Sequence, residues 1–363
     1  MQTKLRIALE LERLRRHNLA DLHPLRQLFW ESTLRCNVAC LHCGSDCVAS
    51  VEQPDMPRED FLKVIDEEIL PNVDPRTVLI IVSCGEPTVR QDLPIVGQEL
   101  MKRGFPWGMV TNGVALSEEK FYALRSAGLR SMTVSLDGLE EQHNWMRGSK
   151  HAFAGATRAI RLAAAEKTRT PGNPLAWDVV TCVNRRNISH LDEIRDYLLS
   201  LGCTNWRLFG IDPMGRAASN PELLITDDEF RYLLDYIRRQ RELGIIHASY
   251  SCEGFLGDIE GKVRDHLYQC AAGLSVASIL IDGSISACTS IRGKYYQGNI
   301  YRDHFWDVWE NGFKPYRDRS WMRETEPCKD CKVWRYCEGN GMHLRREDGT
   351  LMICHHHRLH GTK

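Results

Sequence analysis

Short apolar segments alternate with amphipathic ones through the middle of the chain, and this alternation limits the possible folds more than any other feature. Residues 78–82 form a continuous apolar run of the kind that is buried in a parallel sheet. Strands are predicted at 27–34, 78–82, 107–111, 131–135, 177–183 and 205–208, and helices at 58–70, 92–103, 117–126, 153–166, 188–201 and from Thr226 onward. Six successive strand-helix units predict an α/β fold, either a doubly covered parallel sheet or an incomplete barrel.

The alternation stops near residue 243, where glycine and cysteine become more frequent. We therefore predict three parts: an N-terminal amphipathic helix within 1–26, an α/β domain over 27–243 and a cysteine-rich domain over 244–363. Leucines from Leu5 to Leu14 are interleaved with charged residues, which predicts a surface helix that docks on the α/β domain. The closing Cys354-His355-His356-His357 favours an exposed polar tail over a histidine metal site.

Charge and composition narrow the class of partner. The formal net charge is -1 and 43% of the residues are hydrophobic, which argues against binding to nucleic acid or to an anionic membrane surface. No apolar run is long enough to span a bilayer and the N-terminus lacks the apolar core of a signal peptide, so we expect a cytoplasmic protein. Fourteen cysteines then favour metal ligation over disulfides, because the cytoplasm is reducing.

Three cysteines follow the first predicted strand in the stretch Cys36-Asn-Val-Ala-Cys40-Leu-His-Cys43. Neither a helical nor a strand period would place them at this spacing for packing. Three thiolates can hold three irons of a 4Fe-4S cube and leave the fourth iron open for a small chelating molecule. The alternative is a structural zinc site, which needs a fourth ligand such as Cys47 or His42.

Three further loops follow predicted strands, where parallel sheets build their active sites. Their sequences are Ser83-Cys84-Gly85-Glu86-Pro87, Thr111-Asn112-Gly113 and Ser135-Leu136-Asp137-Gly138. The first offers backbone carbonyls and the Glu86 carboxylate for an ammonium group, and the third offers a hydroxyl and a carboxylate for a ribose or a carboxylate. Each loop taken alone is equally compatible with a plain turn.

Taken in order, the three-cysteine loop and these three turns resemble the radical S-adenosylmethionine (radical SAM) superfamily. The resemblance implies a partial (β/α)6 TIM-like barrel with a 4Fe-4S cluster on Cys36, Cys40 and Cys43, whose open iron chelates S-adenosylmethionine (SAM). It also implies SAM contacts, with Gly85 and Glu86 at the ammonium, Ser135 at the ribose or carboxylate and His42 beside the adenine. The full set of implied SAM contacts is His42, Gly85, Glu86, Pro87, Asn112, Ser135 and Asp137.

The cysteine-rich region resembles the SPASM extension of peptide-modifying radical SAM enzymes. That extension carries one or two auxiliary iron-sulfur clusters, and its motif positions here are Cys270, Cys288, Cys328, Cys331, Cys337 and Cys354. A zinc ribbon at Cys328 and Cys331 is the alternative, but it leaves the other cysteines unexplained. Gly341 stands where the family has a further cysteine that completes the first auxiliary cluster, and Cys252 is the one upstream cysteine nearby. We therefore expect the first auxiliary site to be vacant or degenerate.

The resemblance predicts an enzyme that cleaves SAM to a 5′-deoxyadenosyl radical and abstracts hydrogen from a peptide or small-protein substrate, giving an oxidation or a crosslink. It also implies a low-potential electron donor such as flavodoxin or ferredoxin. We expect His143, Arg147 and the segment 207–216 to contact an extended substrate. The alternatives are the same radical chemistry on a metabolite such as a tetrapyrrole or a sugar, and an iron-sulfur protein that transfers electrons without cleaving SAM.

Overall fold

The computed structural model describes residues 3–166, 174–291 and 295–361. Ten strands form one sheet in the order β10-β9-β8-β1-β2-β3-β4-β5-β6-β7. The strands are β1 Gln27–Glu31, β2 Leu79–Ser83, β3 Trp107–Thr111, β4 Leu129–Ser135, β5 Ala176–Val183, β6 Asn205–Gly210, β7 His247–Tyr250, β8 Val276–Ile279, β9 Ser284–Ser286 and β10 Gly298–Asn299. Every pairing from β8 through β1 to β7 is parallel, whereas β9 and β10 continue the sheet antiparallel.

The six predicted strands all form, and two more parallel strands extend the sheet at its two ends. β7 pairs with β6, and β8 pairs with β1 in the register Gln27 to Val276. Both strands are four residues long, and neither shows the continuous apolar run that identified the others. The sheet thus crosses the boundary predicted near residue 243, and the division into three parts stays a prediction.

Helices cover the sheet and join its strands. They are α1 Thr3–Leu22, α2 Arg58–Val64, α3 Leu93–Lys102, α4 Glu118–Ser126, α5 Glu140–Arg147, α6 Ala152–Glu166, α7 Leu191–Ser200, α8 Asp227–Leu243, α9 Phe305–Asn311, α10 Lys314–Arg317, α11 Trp334–Cys337 and α12 His355–His360. Thr226 caps α8 as predicted, since its hydroxyl accepts from the Glu229 N–H and the Glu229 carboxylate accepts from the Thr226 N–H. α2 continues into a π-helical turn and a 3-10 turn that contains Pro71. No helix within the described residues is long and apolar enough to cross a membrane.

Two sequence-based expectations about the termini were wrong. α1 makes its polar contacts with the C-terminal region rather than with the six-unit core: the buried Arg16 guanidinium donates to the Tyr336 carbonyl at 2.7 Å, and Arg335 pairs with Glu10. His355 is not part of an exposed tail. It is 2% exposed, and its Nε2 lies 2.7 Å from the Tyr250 hydroxyl.

Large aromatic side chains fill the core around the strands. Trp30 on β1 stacks on Phe61 of α2 with ring centroids 4.4 Å apart, and Trp107 and Trp206 are fully buried on β3 and β6. Parallel pairing brings the carboxyl ends of these strands to one edge of the sheet. The loops after β1, β2, β3 and β4, which carry the predicted SAM contacts, leave the sheet at this edge.

Candidate active site

The loop after β1 gathers the three cysteines that the sequence singled out. Cys36, Cys40 and Cys47 are buried and pack together with Val38, and Cys43 packs against the same group. The Cys36 N–H donates to the Val48 carbonyl at 2.8 Å, which closes the base of the loop. The structure therefore assembles a compact thiol site, to which Cys47 contributes a fourth sulfur.

A segment that follows β6 holds this loop from one side. The Arg216 guanidinium donates to the carbonyls of Cys40 at 2.7 Å and Cys47 at 3.0 Å, and the Arg216 N–H donates to the Cys43 carbonyl at 3.0 Å. Gly215 has a positive φ, and a Cβ on it would lie 2.4 Å from the Cys43 carbonyl oxygen. Glycine is thus required for this close approach.

Helix α5 holds the loop from the other side. The N–H groups of Ala39 and Leu41 donate to the carbonyls of Arg147 and Met146, each at 2.9 Å. The Arg147 guanidinium also lies 3.6 Å from the Cys40 sulfur. The contacts from the segment after β6 and from α5 together fix the backbone on both sides of Cys40.

Polar N–H groups point at the sulfurs of the loop. The Asn112 amide lies 3.7 Å from the Cys36 sulfur, and the Cys47 N–H lies 3.4 Å from the Cys43 sulfur. Burial raises the pKa of Cys36 to about 11, whereas a hydrogen bond from the Cys47 thiol lowers the pKa of Cys43 to about 5. A metal that binds here has to displace the proton of Cys36.

Glu86 links the loop after β2 to the loop after β3. Its carboxylate is fully buried and accepts from the Thr88 N–H at 3.2 Å and hydroxyl at 2.6 Å, from the Thr111 hydroxyl at 2.7 Å and from the Asn112 N–H at 2.7 Å. Burial raises the pKa of Glu86, and these four donors oppose that shift. Gly85 has a positive φ, and a Cβ there would lie 2.4 Å from the Arg35 carbonyl oxygen.

A buried ion pair lies beneath the cysteine loop. The Asp137 carboxylate accepts from Arg147 Nε at 2.6 Å and from the Cys182 N–H at 2.9 Å. Burial opposes ionisation, but the Arg147 charge outweighs it and lowers the pKa of Asp137 to about 2. Burial lowers the pKa of His42 to about 4 and that of His143 to about 3, so both imidazoles are neutral at pH 7.

The remaining predicted SAM contacts lie at the same edge of the sheet. Ser135 ends β4 and is 8% exposed, Pro87 is buried at the start of a 3-10 turn, and the Asn112 amide donates to Asn37 at 2.8 Å. His42 Nδ1 is buried and has no hydrogen-bond partner within the described part of the chain. It is thus a polar atom that a bound molecule can satisfy.

A cavity of about 550 Å³ opens beside the cysteine loop. Its walls come from the loop itself, from Cys84, from the segment after β6 and from the C-terminal region, at 44–45, 84, 213–215, 218, 289–291, 342–343, 345–347 and 352. Met214, Ile291 and Met352 give it apolar walls, while Arg346 adds an exposed cation and Glu347 an exposed anion. This size is within the usual range for a small-molecule site.

The C-terminal cysteines form a second thiol site. Burial raises the pKa of Cys337, and the neighbouring thiols of Cys354, Cys328 and Cys331 raise it further. The Arg345 guanidinium donates to the Cys328 sulfur at 3.2 Å. Cys328 and Cys337 are buried, Cys331 and Cys354 are half-buried, and four cysteines are the ordinary ligand set of a closed 4Fe-4S cluster.

Cys270 and Cys288 form a separate pair. Burial raises the pKa of Cys288, and the Cys270 thiol adds to this shift. No cysteine can stand at position 341 in this conformation, because a Cβ there would lie 2.3 Å from the Glu253 carbonyl oxygen. The glycine that departs from the family pattern is thus a packing requirement.

The arginines that we expected to contact a substrate have internal partners instead. Arg147 pairs with Asp137 and Arg216 holds the cysteine loop, while Arg207 pairs with Asp178 and donates to the Thr133 hydroxyl at 2.7 Å. Sequence analysis identified these residues but missed their role as supports. The glycine before Arg216 was the sequence feature that could have indicated this supporting role, because glycine permits the close backbone approach that the Arg216 contacts require.

Comparisons with known proteins agree with this architecture. The family model "Radical SAM superfamily" matches residues 30–198, and the SPASM model "Iron-sulfur cluster-binding domain" matches residues 270–332. An AdoMet-dependent heme synthase of Methanosarcina barkeri is 25% identical over 339 residues, which are 88% of this chain and 92% of the relative. An Fe-coproporphyrin III synthase of the same organism is 24% identical over 338 residues, or 86% and 82% of the two chains.

Solved structures share the fold. The enzyme anSMEcpe with bound AdoMet superposes with a TM-score of 0.70 at 19% identity, over 93% of this chain and 92% of the other. Streptococcus suis SuiB bound to S-adenosylmethionine superposes with a TM-score of 0.67 at 15% identity, over 87% and 72%.

These matches confirm the predicted α/β fold, the cysteine-rich C-terminal domain and the cofactors, SAM and 4Fe-4S clusters. The thiol site after β1 lies within the stretch that the radical SAM model matches, and Cys328 and Cys331 lie within the stretch that the SPASM model matches. The chain therefore carries a radical SAM domain followed by a C-terminal SPASM iron-sulfur cluster-binding domain.

Proposed function

We propose that Cys36, Cys40 and Cys43 hold the 4Fe-4S cluster that binds SAM. When bound, this cluster supplies the electron that cleaves SAM to the 5′-deoxyadenosyl radical. The chain's own part is to fix the loop through Arg147 and Arg216 and to shield Cys36 and Cys40, which are buried, from water. His42, Gly85, Asn112 and Ser135 stay predicted SAM contacts.

Glu86 takes a different part from the one inferred from the sequence. All four of its hydrogen-bond donors come from the protein, so we assign it a positioning role between the second and third loops. Backbone carbonyls near Gly85 are then the groups left to meet an ammonium. Asp137 likewise supports the cysteine loop through Arg147.

For the substrate, we propose a carboxylate-bearing tetrapyrrole rather than a peptide. The observation that carries this choice is the composition of the cavity beside the cysteine loop. Its methionine and isoleucine walls suit a flat apolar ring system, and Arg346 suits an acidic side chain of that ring. Two sequence relatives are named heme and Fe-coproporphyrin III synthases, which supports the same class. The arginines expected to contact a peptide are engaged elsewhere.

The test is SAM turnover by anaerobically reconstituted protein with dithionite and iron coproporphyrin III. We expect the tetrapyrrole to stimulate 5′-deoxyadenosine formation and to change in mass itself, as measured by liquid chromatography and mass spectrometry. Arg346→Met should weaken tetrapyrrole binding by about 10-fold to 100-fold, because one charge-assisted hydrogen bond contributes about 1.5 to 3 kcal/mol. The binding constant is read from the porphyrin absorption band.

Arg302→Met is the matched control, since Arg302 is also exposed but does not line the cavity. It should leave tetrapyrrole affinity unchanged. Stimulation by a peptide encoded beside the enzyme's gene, with none by iron coproporphyrin III, would contradict the tetrapyrrole assignment and favour the peptide one.

We further propose that the SPASM domain holds one auxiliary cluster, on Cys328, Cys331, Cys337 and Cys354. The prediction is roughly eight irons per chain, from two four-iron cubes. A Cys270→Ala variant should keep all of them, because Cys270 and Cys288 lack the family's further cysteine at Gly341. Iron and sulfide analysis with Mössbauer spectroscopy gives the count. A value near twelve that falls by four in Cys270→Ala would mean that the first auxiliary site is occupied.

A further inference from the structure

Three potential metal ligands converge beside the cavity, which one of them, His343, lines, and none of them belongs to the two thiol sites. They are Asp212 in the segment after β6, Cys252 in the segment after β7 and His343 near the end of the chain. One ligand atom from each of the three residues lies within 4.8 Å of the other two. Three separate segments thus bring an oxygen, a sulfur and a nitrogen to one point.

The distances between these atoms are too long for good hydrogen bonds and close to those around a metal ion. His343 Nε2 and Cys252 Sγ lie 3.7 Å and 3.8 Å from the same Asp212 oxygen. A nitrogen-oxygen hydrogen bond is shorter than about 3.2 Å. Tetrahedral ligands at metal distances of about 2.0 to 2.3 Å are about 3.3 to 3.6 Å apart. The gap between the three groups therefore has the width that an ion needs.

The environment of Asp212 supports the same conclusion. Its carboxylate is 14% exposed, and burial raises its pKa. Among the described residues, the long contact from the Cys252 thiol is its side-chain hydrogen bond, and no arginine or lysine pairs with it. A buried carboxylate normally has a strong partner. A divalent cation would be that partner.

A second group of three potential ligands differs from this one because its carboxylate already has partners in the protein. The side chains of His42, Asp137 and Cys182 also lie within 4.8 Å of one another. There, however, Asp137 is already paired with Arg147 at 2.6 Å and accepts from the Cys182 N–H. Its charge is satisfied by the protein, so that group carries no metal proposal.

We propose that Asp212, Cys252 and His343 bind one mononuclear zinc-class divalent ion, separate from the iron-sulfur clusters. One oxygen, one sulfur and one nitrogen are all ligand types that zinc accepts. Binding releases the proton of the Cys252 thiol. The thiolate and the Asp212 carboxylate then neutralise the two positive charges, which suits a site with little access to water.

Three protein ligands leave the fourth tetrahedral position open, as in catalytic zinc sites. His343 also lines the cavity next to Pro213 and Met214, so the open position borders the space where a substrate would bind. The proposed zinc site is additional to the proposed function. It would bind its ion whether the substrate is a tetrapyrrole or a peptide.

The test uses the full-length, anaerobically reconstituted holoenzyme. The protein is incubated with zinc chloride and desalted, and zinc and iron are measured together by mass spectrometry. We expect about one zinc per chain, falling below about 0.1 in Asp212→Asn, Cys252→Ser and His343→Gln. The iron content should stay the same in all three. Zinc-edge X-ray absorption should show one sulfur at about 2.3 Å and nitrogen or oxygen ligands at about 2.0 Å.

Matched controls are Cys203→Ala and His247→Gln, which remove a buried thiol and an exposed imidazole elsewhere. Both should keep the zinc. Failure to retain zinc, or zinc bound by three or four sulfurs, would overturn the proposal. Loss of about four irons in Cys252→Ser would overturn it as well, because Cys252 would then be a ligand of an auxiliary cluster. His343→Gln keeps the test valid should Cys252→Ser fail to fold.

Discussion

Replacing Cys36, Cys40 and Cys43 together by alanine is expected to reduce 5′-deoxyadenosine formation to the level seen without enzyme. The cluster needs three thiolates in fixed positions, and the structure clamps their loop from both sides through Arg147 and Arg216. Roughly four of the eight irons should be lost with the activity. The measurements are chromatography of SAM cleavage products under dithionite and iron analysis of the same sample. Undiminished 5′-deoxyadenosine would sink the assignment of these cysteines.

A single Cys47→Ala variant separates an open cluster from a closed metal site. Cys47 packs with the three cysteines and offers a fourth sulfur. A structural zinc or a closed cluster would use that sulfur, whereas a cluster that chelates SAM leaves it free. We therefore expect Cys47→Ala to keep its four irons and its SAM cleavage.

Arg147→Met is expected to lower the free energy of unfolding by about 3 to 5 kcal/mol and to weaken the binding of the cluster by the cysteine loop. The substitution leaves the Asp137 carboxylate buried and without its ion-pair partner, and breaking a buried pair by removing one member has costs of this size. It also removes the cation that lies 3.6 Å from the Cys40 sulfur. Urea unfolding followed by tryptophan fluorescence measures the first effect, and the rate of iron loss to a chelator measures the second.

Two further variants control for the loss of charge. Arg238→Met breaks exposed pairs on α8 and should change stability by less than about 1 kcal/mol. The double variant Asp137→Asn/Arg147→Met removes both charges and should recover part of the loss. A double variant less stable than Arg147→Met would mean that the single variant's effect comes from lost packing rather than from an unpaired carboxylate.

Strands β1 to β4 were predictable because most of their residues are apolar or buried in the sheet, and β5 and β6 were predictable because they continue the strand-helix alternation. That signal fails for β7, His247–Tyr250, whose first residue is exposed, and for β8, which lies among glycines and cysteines. Both are defined by their parallel neighbours rather than by their own sequence. Packing between distant segments decided their structure, and one sequence alone does not show such packing.

The grouping of the cysteines was predictable from their spacing, because ligand chemistry favours particular residue types at particular distances along the chain. Their role as cluster ligands stays a prediction. The roles of charged residues were not predictable. A carboxylate close to a cofactor-binding motif is predicted to contact the cofactor. The carboxylates of Glu86 and Asp137, however, accept hydrogen bonds from donors of the protein itself. Whether a charge faces outward or inward depends on burial and on partners far along the chain. His355 was misread for the same reason, since its partner Tyr250 is 105 residues away.

The pairing of β8 with β1 places a constraint on the order in which the chain can fold. The Ile281 N–H donates to the Glu31 carboxylate across 250 residues, and one edge of β1 stays without its partner strand until β8 exists. At about 5 to 20 residues per second, the ribosome takes roughly 12 to 50 seconds to make the intervening chain. For that time the strand that leads into the cysteine loop has a free edge open to wrong pairing. Completion of the scaffold for the SAM-binding cluster therefore depends on a strand that is made long after β1.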